Sequence, residues 1–408
     1  MRARFRLTMA VLLAAATPAL AAEHLAGIGV FRLPAGFELV TSEDHAKPQV
    51  ALDTCVLAGS REGCPGVAEA TAEAIWHGGA HPLDKALQAL GGAPDMLVTR
   101  EGAHFWVTLP ADKLVAALDL IGAGLAAPDW QGLDLASLHA HLQPQADAVS
   151  YSPWTQADSR LLALLGDARL AAPPVGTPQS DARLTLADLQ AFYARHYLPS
   201  RIKVALVGDF ATGPTVGQVV RGYAALLKHE APTGTAPACP PAPASATALP
   251  ADLVEAGALG APSTDAAGQA TMAVLARAIA AELTTRMPPA HVTVNWVPMR
   301  NRGMLTISVA GVPGTLAEST IRTLAAELAA KPVALDVYTH AIQAELARYA
   351  ASNATLAQRA ANLADFAAIA SDARRASAYP DLVSAVGRED LVDAARQYLT
   401  PDALRIIP

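Results

Sequence analysis

The chain has 408 residues, 52% hydrophobic and 16% charged, a balance that supplies a large core, fits two domains of ordinary size and excludes a disordered polypeptide. Its formal net charge of −7 becomes about −10 without Arg2, Arg4 and Arg6 of the first segment, so no basic surface is available for nucleic acid or anionic lipid.

Residues 1–22 place those arginines before an apolar run, Met9 to Ala16, and small residues at Ala19-Leu20-Ala21-Ala22, the layout of a secretory signal peptide. Export to the periplasm or beyond is expected, with cleavage near Ala21 or Ala22. The apolar run is short for a membrane span and no later window gives eighteen uninterrupted apolar residues, so membrane insertion is not expected. Three cysteines suit an oxidising compartment without forming a disulfide scaffold. Cys55 sits in an apolar strand, where an unpaired buried thiol is the usual state; a bridge to Cys64 across the intervening turn is the alternative, leaving Cys239 odd in a flexible stretch.

Between Gly29 and Ala58 two alternating runs, Phe37 to Val40 and Val50 to Leu57, flank a polar segment and predict a β-hairpin. A loop from Gly59 to Gly66 leads to a helix over Val67 to Trp76, stopped by Gly78-Gly79. A second helix covers Leu83 to Leu90, a third strand covers His104 to Leu109, and helices follow at Leu114 to Ala126, Leu133 to Leu142 and from Asp158. Residues 229–263, rich in Ala, Pro, Ser and Thr, predict an interdomain linker. The second half predicts a helix over Ala266 to Thr285, strands at Val292 to Val297 and Met304 to Val309, helices at Leu316 to Ala329 and Leu335 to Ala350, and a helical stretch over 355–378.

One phrase occurs twice. Asp188-Leu189-Gln190-Ala191-Phe192-Tyr193-Ala194-Arg195-His196-Tyr197-Leu198-Pro199, followed by the apolar run Ile202 to Val207, is echoed by Asp390-Leu391-Val392-Asp393-Ala394-Ala395-Arg396-Gln397-Tyr398-Leu399 and then Leu404 to Ile407. Each copy reads as a capped helix feeding a β-branched strand, so the chain is read as a duplication. The boundaries that follow are a signal peptide at 1–22, a first domain at 23–228, the linker at 229–263 and a second domain at 264–408. The fold class is α+β: two homologous α/β-sandwich domains, each an antiparallel sheet covered by helices.

Phe192-Tyr193 and Tyr197-Leu198-Pro199, the run Val204 to Phe210, and Gly176-Thr177 upstream together resemble the pattern of the M16, or pitrilysin and mitochondrial processing peptidase, family of zinc peptidases. The resemblance covers nearly all of the chain after the signal peptide. It implies a clamshell of two such halves around a chamber for unfolded peptides, with a sheet edge of the first half pairing with extended substrate.

In that family catalysis depends on His-x-x-Glu-His on the first long helix and a later carboxylate: the imidazoles grip Zn²⁺ and the glutamate activates water. The flanks Gly59 to Glu62, Pro65 to Ala68 and Ile75 to Gly79 match the surroundings of this motif, yet between them stands Glu69-Ala70-Thr71-Ala72-Glu73. Glu69 and Glu73 replace the histidines, Ala72 replaces the general base, and the third-ligand position falls near Gln145, with no glutamate between Glu101 and Glu230. No metal, no cofactor and no catalytic residue is therefore expected. Glu69 and Glu73 alone offer too few oxygens for Ca²⁺ or Mg²⁺, and a solvated or chamber-facing acidic pair is the plainer reading.

The remaining histidines read as structural. His77 and His81 straddle a glycine pair, His139 and His141 point to different helix faces, and His196 suits a helix C-terminus as a partly positive cap. In the segment Thr285 to His291, where the family carries an arginine and a tyrosine that bind substrate backbone, Arg286 is a substrate-binding candidate but no tyrosine follows; an exposed arginine closing a helix is the alternative.

The expected function is thus an exported, catalytically inactive M16-like protein that partners an active M16 peptidase subunit as a heterodimer and helps hold unfolded peptides. A stand-alone or self-associating peptide-binding scaffold of the cell envelope is the alternative, and an active metallopeptidase with an unconventional site stands third. Co-purification with a chain carrying the intact zinc motif separates the first two.

Overall fold

The structure, a computed structural model, describes residues 27–165, 168–233 and 249–407. The expected signal peptide, Cys239 and most of the polar part of the expected linker lie outside them. In the first half, β1 (Gly29–Arg32), β2 (Glu38–Glu43) and β3 (Gln49–Val56) precede α1 (Val67–Trp76) and α2 (Leu83–Ala89). Then come β4 (Ala93–Val98), β5 (Ala103–Pro110), α3 (Leu114–Ala126), α4 (Leu135–Tyr151), α5 (Pro153–Leu164), α6 (Leu186–His196), β6 (Ile202–Gly208) and α7 (Thr212–Gly222).

The second half runs β7 (Leu253–Pro262), α8 (Ala266–Arg286), β8 (His291–Val297), β9 (Arg302–Ala310), α9 (Gly314–Ala330), α10 (Leu335–Ala351), α11 (Leu356–Ile369), α12 (Arg375–Ala385), α13 (Arg388–Tyr398) and β10 (Arg405–Ile407). The duplication is explicit in the sheets. The first has the order β1-β2-β6-β3-β5-β4 and the second β10-β7-β9-β8, so four strands of each match in order and β1-β2 extend the first.

Both copies of the repeated phrase form the expected helix and strand. Thr185 and Asp188 make a reciprocal capping box at the start of α6, and the Asp390 carboxylate accepts the Gly387 N–H at the start of α13. Four expectations are corrected. β2 and β3 are not a hairpin, because β6 lies between them, parallel to β2 and antiparallel to β3; the first sheet is therefore mixed. The hydrophobic strand β6 gains pairing on both edges there, and the polar Asp44 to Pro48 segment is long enough to step over it. The C-terminal part of the expected linker is β7, buried along most of its length and paired with β9 and β10. The helical stretch over 355–378 breaks near Ser371, which adopts φ 55, a left-handed conformation that ends α11 before α12 begins. Strands β1 and β4 carry weaker patterns and extend the sheet beyond the expected set.

The two halves interlock. α11 of the second half packs on β3 and β6 of the first sheet, and α5 of the first half packs on β7 and β10 of the second. Alternation along the strands produces this: Leu39, Val50, Leu52, Val204 and Leu206 face the helices of their own half, while Val40, Ala51, Cys55, Ala205 and Val207 join the core of the second half. Covering both faces makes the halves interdependent. Arg359 of α11 meets Asp44 at 2.5 Å, and Arg300 spans Glu62 and Glu101, the latter at 2.5 Å, so charged clamps rim the shared core.

Candidate functional site

Gly66, at φ 85, turns the chain into α1, and the strand–loop–helix passage buries all ten residues of that helix. Glu69 and Glu73 stand one turn apart, both buried. Burial, with the charge of Glu73 beside it, pushes the Glu69 carboxyl up to about 7. Ala72, where a water-activating carboxylate would stand, is wholly buried and carries no polar side-chain atom.

Glu73 is the centre of a polar cluster. Its Oε2 lies 2.6 Å from His77 Nδ1, and its Oε1 lies 3.5 Å from His141 Nε2, which is in turn 3.4 Å from the Gln145 amide. The hydrogen bond that His77 donates to Glu73 holds its imidazole above the usual histidine range. The helix pair α1 and α4 thus brings together Glu73, His77, His141 and Gln145, a grouping the sequence left apart; the signal was that His77 and Glu73, and His141 and Gln145, are each four residues apart.

This donor set does not fit the zinc chemistry of the resemblance. Glu69 keeps its proton up to about pH 7, Glu73 is held by two imidazoles, and position 72 cannot take a proton from water. Among the described residues, no group of three or more His, Cys, Asp or Glu is arranged to hold a metal ion.

Other candidates resolve individually. His139 sits 3.3 Å from Asp181 and 3.2 Å from the Leu184 carbonyl, tying α4 to the segment before α6. His196 is corrected: burial, aided by Arg201, pushes its imidazole down to about 4, so it is neutral and stacks on Phe192 at 4.5 Å instead of serving as a charged cap. Arg286, the substrate-binding candidate, lies at the end of α8, its guanidinium 3.0 Å from Glu282 and 2.7 Å from Glu327. Cys55 is a free buried thiol, so it does not bridge to Cys64; Cys64 is disulfide-bonded. Cys55 pairs across β3 and β5 with His104, Sγ to Nε2 3.6 Å, and His104 Nδ1 meets Asp53 at 2.9 Å.

The sequence reading also missed a polar cluster in the second half. Glu345 on α10 has no exposed surface, yet Arg348 reaches both its oxygens at 3.0 Å, Arg277 stands 3.3 Å away and the Tyr379 hydroxyl donates to it at 2.9 Å. These groups border a cavity of about 600 Å³ between the halves, walled by α8, α10, α11, α12 and β8 on one side and by the β4–β5 turn on the other. No helix among the described residues is long and apolar enough to cross a membrane.

Comparison with known proteins agrees with this architecture. Residues 183–279, which join the end of the first half to the start of the second, match the family profile described as "Peptidase M16 inactive domain". An uncharacterized zinc protease of Mycobacterium bovis is 28% identical over 193 residues, spanning 43% of this chain and 42% of that protein's length. The crystal structure of a peptidase M16 inactive domain from Pseudomonas fluorescens superposes with a TM-score of 0.77 at 19% identity, covering 93% of this chain and 96% of that one. The periplasmic protease PqqL from Escherichia coli superposes with a TM-score of 0.69 at 15% identity, again over 93% of this chain but only 47% of its own. The chain thus has the fold of M16 peptidase structures, and its residues 183–279 match the profile of that family's inactive domain.

Proposed function

We propose that this protein is a catalytically inactive M16 subunit, exported to the periplasm or beyond, which pairs with an active M16 peptidase and completes the chamber that holds unfolded peptides. The observation that carries the reading is α1, where Glu69, Ala72 and Glu73 stand in place of two metal-binding imidazoles and a general base, and where Glu73 is occupied by His77 and His141. The superposition of this chain on 47% of PqqL supports the reading of a pairing with a second, similar unit. The apolar, arginine-led N-terminal segment supports export.

The test has two arms. The purified protein alone should carry no stoichiometric zinc and leave unfolded peptides intact; co-expression with a homologous chain bearing His-x-x-Glu-His should yield a stable complex whose peptidase activity falls when this subunit is withheld. Chelator-sensitive cleavage by the protein alone would overturn the reading. A lone homodimer with no effect on any peptidase would favour the scaffold instead.

A further inference from the structure

The cavity between the halves carries an electrostatic imbalance that the fold does not require. Four acids line it, and three have cations of their own. Asp158 is met by Arg100 at 2.5 Å, Glu101 is met by both Arg61 and Arg300, and Glu345 is held by Arg348. Arg277 is a second guanidinium on Glu345, and Arg375 donates to the Ser263 carbonyl at 2.9 Å. Among the described residues, two positive charges in the wall therefore lack a carboxylate of their own. The fourth acid, Asp365, lies on the side of the first half and faces His104 at 3.5 Å, an imidazole it shares with Asp53; that end of the cavity is acidic.

The rest of the wall is largely apolar. Trp296, Val297, Met299, Met304, Phe366 and Ile369 line it, and the Trp296 indole is fixed by its N–H donating to Gln269 Oε1 at 3.0 Å. An apolar cavity with a small number of placed charges is the usual form of a small-ligand site. Guanidinium groups match carboxylates in geometry and in charge.

We propose that this cavity binds an apolar carboxylate, its anionic head at Arg277 and Arg375 and its body against Trp296 and Phe366. The end at Asp365 offers a carboxyl group and no guanidinium, which fixes the orientation. The chemistry is shared by the C-terminal end of a short apolar peptide and by an alkyl carboxylate. The site lies within one chain and does not depend on a peptidase partner.

Internal duplication strengthens the assignment. α4 and α10 are both seventeen residues long, and Gln145 and Glu345 occupy the same step of each. The cavity is thus the second-half counterpart of the place where the first half holds its Glu73 cluster.

The full chain should be titrated with octanoate and with N-acetyl-leucyl-leucine, alongside octanamide and the C-terminal amide of the same dipeptide, following heat and Trp296 fluorescence. One carboxylate should bind at a single site, at least tenfold tighter than its amide, and Arg375→Ala should lose at least tenfold in affinity. Arg322→Ala, at an exposed ion pair on α9, should change nothing. Trp296→Phe should abolish the fluorescence response while leaving the heat. Stronger binding of octanoate identifies alkyl carboxylates as the source of the chemistry; stronger binding of the dipeptide identifies peptide C-termini. Absence of saturable binding, equal binding of acid and amide by the unmodified protein, or an unaffected Arg375→Ala variant overturns the proposal. The acid-to-amide comparison needs no variant, so a folding defect in Arg375→Ala leaves the proposal open to refutation.

Discussion

Gln145 and Glu345 stand at the same step of two equivalent seventeen-residue helices, but Gln145 is exposed and touches His141, whereas Glu345 is fully buried and gathers Arg348, Arg277 and Tyr379. The first half carries an amide, Gln145, at that step. The second half carries a carboxylate and neutralises it with arginine. One duplicated scaffold has therefore acquired different polar chemistry at its two equivalent places.

Replacing Glu345 by glutamine should be costly. The amide leaves two guanidinium groups, one of them half-exposed, sharing one neutral, buried partner, and breaking a buried pair typically costs about 3 kcal/mol. Urea unfolding at pH 7 should show that loss; a change below about 1 kcal/mol would mean that water compensates the arginines.

Stability should fall as pH rises from 5 to 8.5. Glu69 is pushed up to about 7, and Glu255, buried on β7, up to about 8 by burial. A carboxyl with a raised folded-state pKa binds its proton more tightly in the folded protein, so its contribution is complete below the ordinary value of 4.5 and is lost as pH climbs through 7 and 8. Glu69→Gln and Glu255→Gln should each flatten the melting-temperature profile and raise stability at pH 8.5 by on the order of 2 kcal/mol. A wild-type profile that rises over this range would contradict both shifts.

Rebuilding the zinc motif tests where the chemistry would sit. Glu69→His, Ala72→Glu and Glu73→His together should give weak zinc binding, and adding Gln145→Glu should make it stoichiometric, since a third protein ligand completes the set. Metal analysis after gel filtration reads the result. Equal, negligible zinc in the two variants would show that α4 does not present residue 145 to this site.

Arg300 fastens the second half to Glu62 and Glu101 of the first. Arg300→Ala should lower stability by about 2 kcal/mol, as expected for a charge-assisted, partly buried contact, and should speed amide exchange in the β4–β5 turn ahead of α3. Uniform exchange across both halves would argue that the shared core alone holds them.

Cys55 should be silent toward thiol reagents in the folded protein. Burial pushes its thiol up and leaves almost no surface. Labelling with a chromogenic disulfide should begin only above the unfolding transition; labelling of the native chain would show that the sheet opens between β3 and α11.

Local pattern was enough for the repeated helix-to-strand unit, for α1 between its glycines and for α3 to its end residues, because capping groups, glycine stops and helical periodicity act over a few residues. It failed where partners are distant. Nothing between Glu38 and Val56 announces that β6, some 150 residues later, will part β2 from β3, and alternation alone cannot say which of two cores a strand face joins. The exchanged helices α5 and α11 lie beyond such reasoning for the same cause.

The absence of the zinc motif was fixed by residue identity alone: the helix reads Glu69-Ala70-Thr71-Ala72-Glu73, with no histidine in it. What stands there instead was decided by folding. Only the crossing of α1 and α4 brings His141 to Glu73, and only the meeting of α8, α10 and α12 buries Glu345 among arginines, because charges far apart along the chain interact once packing removes the water between them.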